Sequence, residues 1–273
     1  MRWTLAVGIT LGITFAAAQL ASAKPQRIAS LNLCTDQLLL MLVEPERIAT
    51  VTFLALNPST SYMAYAATGV PINHGRLEQI LPLEPDLVLA GRYTTHFTKT
   101  LLKKLGYRVY EADVPNTFEG IRAQIQEVAA LLGEPRRGAA LIKEMDATLA
   151  QAATVPGERP LAALYGPRGY TQGRGMLEDS VLTAAGYTNL AAKIGVIGSR
   201  VLSLERLLQH APKFLIFNAR IDSTPSLAMA VLKHPSLSHA FVGAAKVQIP
   251  PRYWFCPGPM VGDAVRFLVE ARQ

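Results

Sequence analysis

The chain has 273 residues, with 27 Lys and Arg against 20 Asp and Glu, a net charge of +7 and 50% hydrophobic residues. That length supports one large or two modest domains with proper cores. The mild positive balance suits an anionic small ligand, and with no basic arm or stacked aromatic platform it argues against a nucleic-acid partner.

Residues 1–23 read as a secretory signal peptide. Arg2 supplies a positive start, an apolar run follows over residues 5–18, and Ala21, Ser22 and Ala23 give small residues at the cleavage positions. The apolar core is too short and wrongly flanked for a membrane span. Lys24, not cysteine, follows the cut near Ala23. An exported, soluble product beginning near Lys24 without a lipid anchor is therefore expected.

Beyond the leader, strand-like and helix-like runs alternate, which predicts parallel sheets covered by helices. Strands are expected at 27–31, 48–52, 87–90 and 108–111, with helices at 36–43 and 98–105. A longer helix is expected to start at Asn116, which can cap it, with Glu119 three residues on. Phe118, Ile121, Ile125, Val128 and Leu132 then share one face. Pro135 opens another helix, in which Leu141, Met145 and Leu149 recur every four residues, until Pro156 and Gly157 end it. A second set of strands is expected at 161–164, 214–217 and 247–249, and a last helix at about 262–271. The plan is an α/β lobe over 24–133, a long helix over 134–157, and an α/β lobe over 158–273. A helix of that length spans roughly 30 Å, and as a stiff connector it permits small rocking while resisting wide hinge closure.

The two halves share a pattern. LEQILPLEPDLVLA at 77–90 and LERLLQHAPKFLIF at 204–217 align at an offset of 127 residues, placing Glu78 opposite Glu205. Each copy reads as a short amphipathic helix that stops before a proline and feeds a buried strand. Two similar lobes, each bearing one exposed acidic residue at an equivalent place, follow from that reading.

RIASLNLCTDQLLLML, LEQILPLEPDLVLAG and LGYRVYEADVPNTFEGIRAQIQEVAALLG in the first half, with LSLERLLQHAPKFLIF and an aromatic loop before the last helix, carry a family resemblance. The chain resembles the exported substrate-binding proteins of ABC importers that handle ferric siderophores, haem and cobalamin. The resemblance implies two parallel-sheet lobes joined by one long α-helix, the class III periplasmic-binding architecture. It further implies a monomer in the periplasm that captures a metal chelate, performs no catalysis and needs no cofactor of its own. By the same resemblance, Glu78 and Glu205 are the carboxylates that dock into arginine pockets of the two permease subunits.

Ligands of open α/β sheets collect beyond the carboxyl ends of the strands. That rule selects Asn32, Cys34, Thr35, Asp36, Phe53, Asn57, Arg92, Tyr93 and Thr94 in the first lobe. In the second it selects Tyr165, Arg168, Tyr170, Asn218, Arg220, Tyr253, Trp254, Phe255 and Cys256. Rings that stack and guanidiniums that pair oxygens suit a flat or bulky anionic ligand. Cys34 and Cys256 leave three readings open: a disulfide across the cleft, two ligand-facing thiols, or inert buried thiols. The thiol reading supports a second function, an exported metallochaperone or enzyme acting on a soft metal. His74, His96, His210, His234 and His239 lack zinc-site spacing, so no metal site is expected, and His96 alone lies near a predicted cleft loop. No nucleophile elbow, phosphate loop or dinucleotide fingerprint is present.

Overall fold

The computed structural model of the chain describes residues 24–93, 95–152, 157–217, 227–230, 232, 235 and 241–272. The first lobe is a five-stranded parallel sheet of order β3-β2-β1-β4-β5, built from β1 (Ile28–Ser30), β2 (Ile48–Thr52), β3 (Ile72–Asn73), β4 (Leu87–Gly91) and β5 (Val109–Ala112). Ile28, Leu87 and Leu89 face one side of this sheet, and Ala29, Leu31, Val88 and Ala90 the other, as a period of two requires. Both faces are covered, one by the helix Leu33–Leu42 and the other by the helices Leu77–Ile80 and His96–Lys104. This explains why β4 is an unbroken apolar run rather than an alternating one.

In the second lobe, β6 (Leu161–Leu164), β8 (Thr188–Asn189), β10 (Phe214–Phe217) and β11 (Ala245–Gln248) form a four-stranded parallel sheet of order β11-β10-β6-β8. A separate antiparallel pair, β7 (Tyr170–Gln172) with β9 (Ser199–Val201), follows β6. Neither this pair nor the two-residue strands β3 and β8 was expected, because segments that short carry no readable period. The last strand covers Ala245–Gln248, two residues earlier than the apolar pattern suggested.

The connecting helix Pro135–Ala152 packs between the helix Phe118–Leu131 and the closing helix Val261–Glu270. At about 1.5 Å per residue it is about 27 Å long. Gly138 sits where a Cβ would lie 2.5 Å from that of Ala129, so a side chain there would push the two helices apart. Arg122 donates to Asp146 at 2.9 Å, pinning the same pair. One hydrophobic core runs from Ile28 and Leu39 through Ile125 and Met145 to Ala162, Trp254 and Val265, so both lobes and the connector share it. The cap of the helix Phe118–Leu131 is Thr117, whose hydroxyl accepts from the Gly120 amide at 3.0 Å, one residue past the expected Asn116. Among the described residues, no helix is long and apolar enough to cross a membrane. Residues 1–23, including the expected leader, lie outside the described residues.

Candidate functional site

In the first sheet the chain winds outward one way from β1 to β2 and β3, and the other way from β4 to β5. The winding therefore reverses between β1 and β4. In the second sheet it reverses between β6 and β10. Loops leaving such paired strands diverge and open a crevice, where ligands of this fold class bind.

At the first reversal the crevice is small, about 70 Å³, and is lined by Asn32, Cys34, Arg92, Tyr93, Asp113 and Val114, with Pro257 entering from the second lobe. Its floor is covalent. Cys34 and Cys256 form a disulfide with their Cα atoms 5.1 Å apart, joining the first helix of one lobe to the last loop of the other. No free cysteine remains, so the reading of ligand-facing thiols is corrected, and the soft-metal alternative loses its ligands. A second link lies alongside, where the Tyr62 hydroxyl donates to Asp263 on the closing helix at 2.6 Å. Burial and that carboxylate push the Tyr62 phenol up to about 12.

Thr35 and Asp36 are at most 1% exposed; Thr35 still lines the crevice, whereas Asp36 does not and is tied to β2. Asp36 accepts from the Thr52 amide at 3.2 Å and from the Thr52 hydroxyl, while Thr35 shares a 2.8 Å bond with Ser30. Burial pushes the Asp36 carboxyl up to about 7 against the pull of the Ser30 and Thr52 hydroxyls. Trp254 and Cys256 are at most 5% exposed and belong to the core, as does fully buried Tyr165.

Among the described residues, Arg92, Tyr93, Tyr170 and Phe255 are exposed. Arg92 pairs with Asp113 at 2.7 Å, and both side chains are more than half exposed. Beneath them the buried Lys99 ammonium donates to the Gly91 carbonyl at 2.9 Å and also engages Arg92 O and Glu111. Lys103 and then Lys99 hold the Glu111 carboxyl at about 2. The Arg92–Tyr93 turn is thus clamped from below, and Tyr93 projects from it with 78% of its surface exposed.

Across the cleft, Arg168 sits at φ 57° in the turn after β6, and Tyr170 emerges beside it, 46% exposed. Arg252 lies over the Tyr253 ring at 5.1 Å, and Phe255 is 60% exposed. A wider cavity of about 450 Å³ opens between Pro58 and Ser59 of the first lobe and Gln248–Arg252 of the second. Arg220, Asn218, Thr94, His234 and His239 lie outside the described residues.

Glu78 and Glu205 are exposed in the first turns of their helices. The Glu78 helix joins β3 to β4 of the parallel sheet, so its N-terminus lies at that sheet's carboxyl edge, whereas the Glu205 helix follows β9 of the antiparallel pair and leads into β10. Its own backbone amide, and then the Ser203 hydroxyl, hold the Glu205 carboxyl below the usual range.

Residues 28–246 match the model of the periplasmic binding protein family. The chain belongs to that family. A cobalamin-binding protein of Halobacterium salinarum is 27% identical over 258 residues, which cover 91% of this chain and 70% of that protein. The haem-binding protein RhuT of Roseiflexus sp. RS-1 superposes with a TM-score of 0.73 at 24% identity, covering 91% of this chain and 99% of that one. The vitamin B12 binding protein BtuF of Vibrio cholerae superposes at 0.64 with 17% identity, covering 91% and 96%. These likenesses show the two-lobed α/β fold, and the family and its neighbours are binding proteins. Sequence reasoning did not select Asp113 and Val114, which follow β5, and weighed His74, which follows β3, only as a metal ligand. The expected 108–111 strand ended one residue short of the observed end at Ala112, and β3 was not expected at all.

Proposed function

We propose that this protein captures a metal chelate with flat or bulky apolar surface and acidic edges between its lobes and delivers it to an ABC importer. The observation that carries this reading is where the exposed aromatics lie. Soluble proteins scatter large exposed apolar side chains singly, and a cluster of them marks a binding surface. Here Phe53, Tyr93 and Val114 follow β2, β4 and β5 of the first lobe, Tyr170 opens β7 and Phe255 lies in the loop after β11 of the second, each at least 45% exposed. Arg92, Arg168 and Arg252 stand among them, which suits rings bearing carboxylates or phosphates. The ligands named for the relatives, cobalamin and haem, are of this class.

Glu78 and Glu205 are the proposed contacts to the two permease subunits. Carboxylate–arginine pairs are directional, and equivalent positions on two lobes match a two-fold partner. The working form is a monomer in the periplasm, released after cleavage near Ala23, with no nucleic-acid partner and no resident cofactor. The test is titration of haemin, a ferric hydroxamate siderophore and cyanocobalamin against wild type and the Arg92→Ala, Arg168→Ala, Arg220→Ala and Arg252→Ala variants. One chelate should bind and weaken in at least one variant. Binding of none, or equal binding by all variants, contradicts the reading.

A further inference from the structure

His74 follows the edge strand β3, and its ring stacks on that of Phe53, which follows β2, with centroids 4.8 Å apart and planes 19° apart. The turn beneath it is held from three sides. Asn73 donates to Ser30 O at 2.9 Å and to the Thr50 hydroxyl at 3.0 Å, fixing the turn to β1 and β2. The Gly75 amide donates back to the Asn73 side chain at 2.9 Å, and the Gly75 carbonyl accepts from Thr98 at 2.7 Å. Gly75 is at φ 73°, a left-handed conformation that glycine adopts without cost. A histidine on so constrained a turn, at the carboxyl edge of the sheet, has a defined position relative to the cleft.

A neighbouring side-chain amide bears on its tautomer. The His74 amide donates to Gln79 Oε1 at 2.8 Å, which fixes the orientation of that side-chain amide and leaves its nitrogen toward the ring. Gln79 Nε2 stands 3.4 Å from His74 Nδ1. An amide nitrogen can only donate, so a hydrogen bond across that gap makes Nδ1 the acceptor, and a neutral imidazole whose Nδ1 accepts carries its proton on Nε2. The face of the ring is taken by Phe53 and its Nδ1 side by Gln79. What remains for a ligand is an N–H, not a lone pair.

We propose that His74 is a hydrogen-bond donor of the cleft rim, set by Gln79, that holds an acidic oxygen at the edge of the bound chelate and does not ligate its metal. This rests on the cleft reading above, and the experiment separates the two. Long-range proton–nitrogen NMR of the ligand-free protein should find the His74 ring protonated at Nε2. In Gln79→Glu, whose carboxylate can only accept, the proton should move to Nδ1. Protonation at Nδ1 in the wild type overturns the proposal whether or not any probe binds. Haemin and haemin dimethyl ester, which lacks free carboxylates, then serve as binding probes. His74→Ala should weaken haemin severalfold, leave the ester unchanged, and leave the visible spectrum of bound haemin as in the wild type. Equal weakening of both probes, or loss of an axial-ligand band in His74→Ala, overturns it. If wild type binds neither probe, the haem-like ligand is excluded from the proposed function, and the tautomer decides the role of His74.

Discussion

Leu77 and Leu204 open helices 127 residues apart, Glu84 and Ala211 end their turns left-handed at φ 43° and 40°, and Leu87 and Phe214 open the strands that follow. Every landmark keeps the same offset. A proline follows each left-handed residue, at Pro85 and Pro212, so the helix cannot continue and the preceding residue is driven from the helical region. The lobes differ in how the helix starts. Ser203 caps the second lobe's helix by accepting from the Arg206 amide at 3.3 Å, and the helix runs seven residues. Arg76 stands at the matching place in the first lobe and provides no side-chain cap, and there only four residues are helical before a tighter turn. Path and proline stop are common to both lobes, while the satisfaction of free amides is specific to each. The interiors differ likewise. The first lobe buries a polar network around Asp36, whereas the second buries Tyr165 and Tyr187.

The link between the lobes is where the comparison breaks most easily. The disulfide closes 222 residues of chain, and the chain-entropy account assigns such a loop about 5 kcal/mol. The Cys34→Ser/Cys256→Ser protein should lose stability of that order in denaturant titration. It should also show a larger change in radius of gyration on ligand binding than the oxidised protein, whose lobes are tied. Equal scattering changes in both would mean that the connecting helix and shared core alone set the lobe angle.

Delivery should depend on both lobes. Glu78→Ala and Glu205→Ala are expected to lower import severalfold in a reconstituted transporter while leaving chelate affinity intact, and the double variant should lower it further. A change in chelate affinity with import unchanged would make the repeated glutamates purely structural.

Asp36 distinguishes the first lobe's interior. Its carboxyl is raised from 3.8 to about 7 in the folded protein, so the fold favours the protonated form. The resulting stability is fully present below about pH 4 and is lost as pH rises through about 7, at about 1.4 kcal/mol per pH unit within that window. Asp36→Asn should therefore gain on wild type between pH 5 and pH 8 in urea titrations, and a constant difference would refute the assignment. Ser203→Ala should cost about 1 kcal/mol, whereas Arg76→Ala should change stability little, since it removes no cap. Equal losses would show that the starts of the two helices are equivalent after all.

Much of this was legible in the chain. The strands Ile48–Thr52, Leu161–Leu164 and Phe214–Phe217 were expected at these bounds, because strands buried on both faces are continuous apolar runs between polar or glycine-rich segments. The connecting helix and the repeat were legible for the same reason, periodicity over many residues. For Asp36, loop position locates a residue near the sheet's edge but does not say whether its side chain turns up into the cleft or down into the core. Burial decided that. The disulfide needed three dimensions, since two cysteines in opposite lobes fit a staple and a pair of thiols equally well until their Cα atoms are found 5.1 Å apart. His74 escaped selection as a cleft residue because β3 has only two residues.

The most direct measurement is native mass spectrometry of the protein purified from its native host. The account predicts one adduct per chain, with the mass and isotope pattern of a metal-bearing chelate, lost from a variant in which Tyr93 and Tyr170 are both replaced by alanine. A bare metal ion, a peptide or a sugar bound in its place, or an adduct that survives loss of both tyrosines, would contradict it.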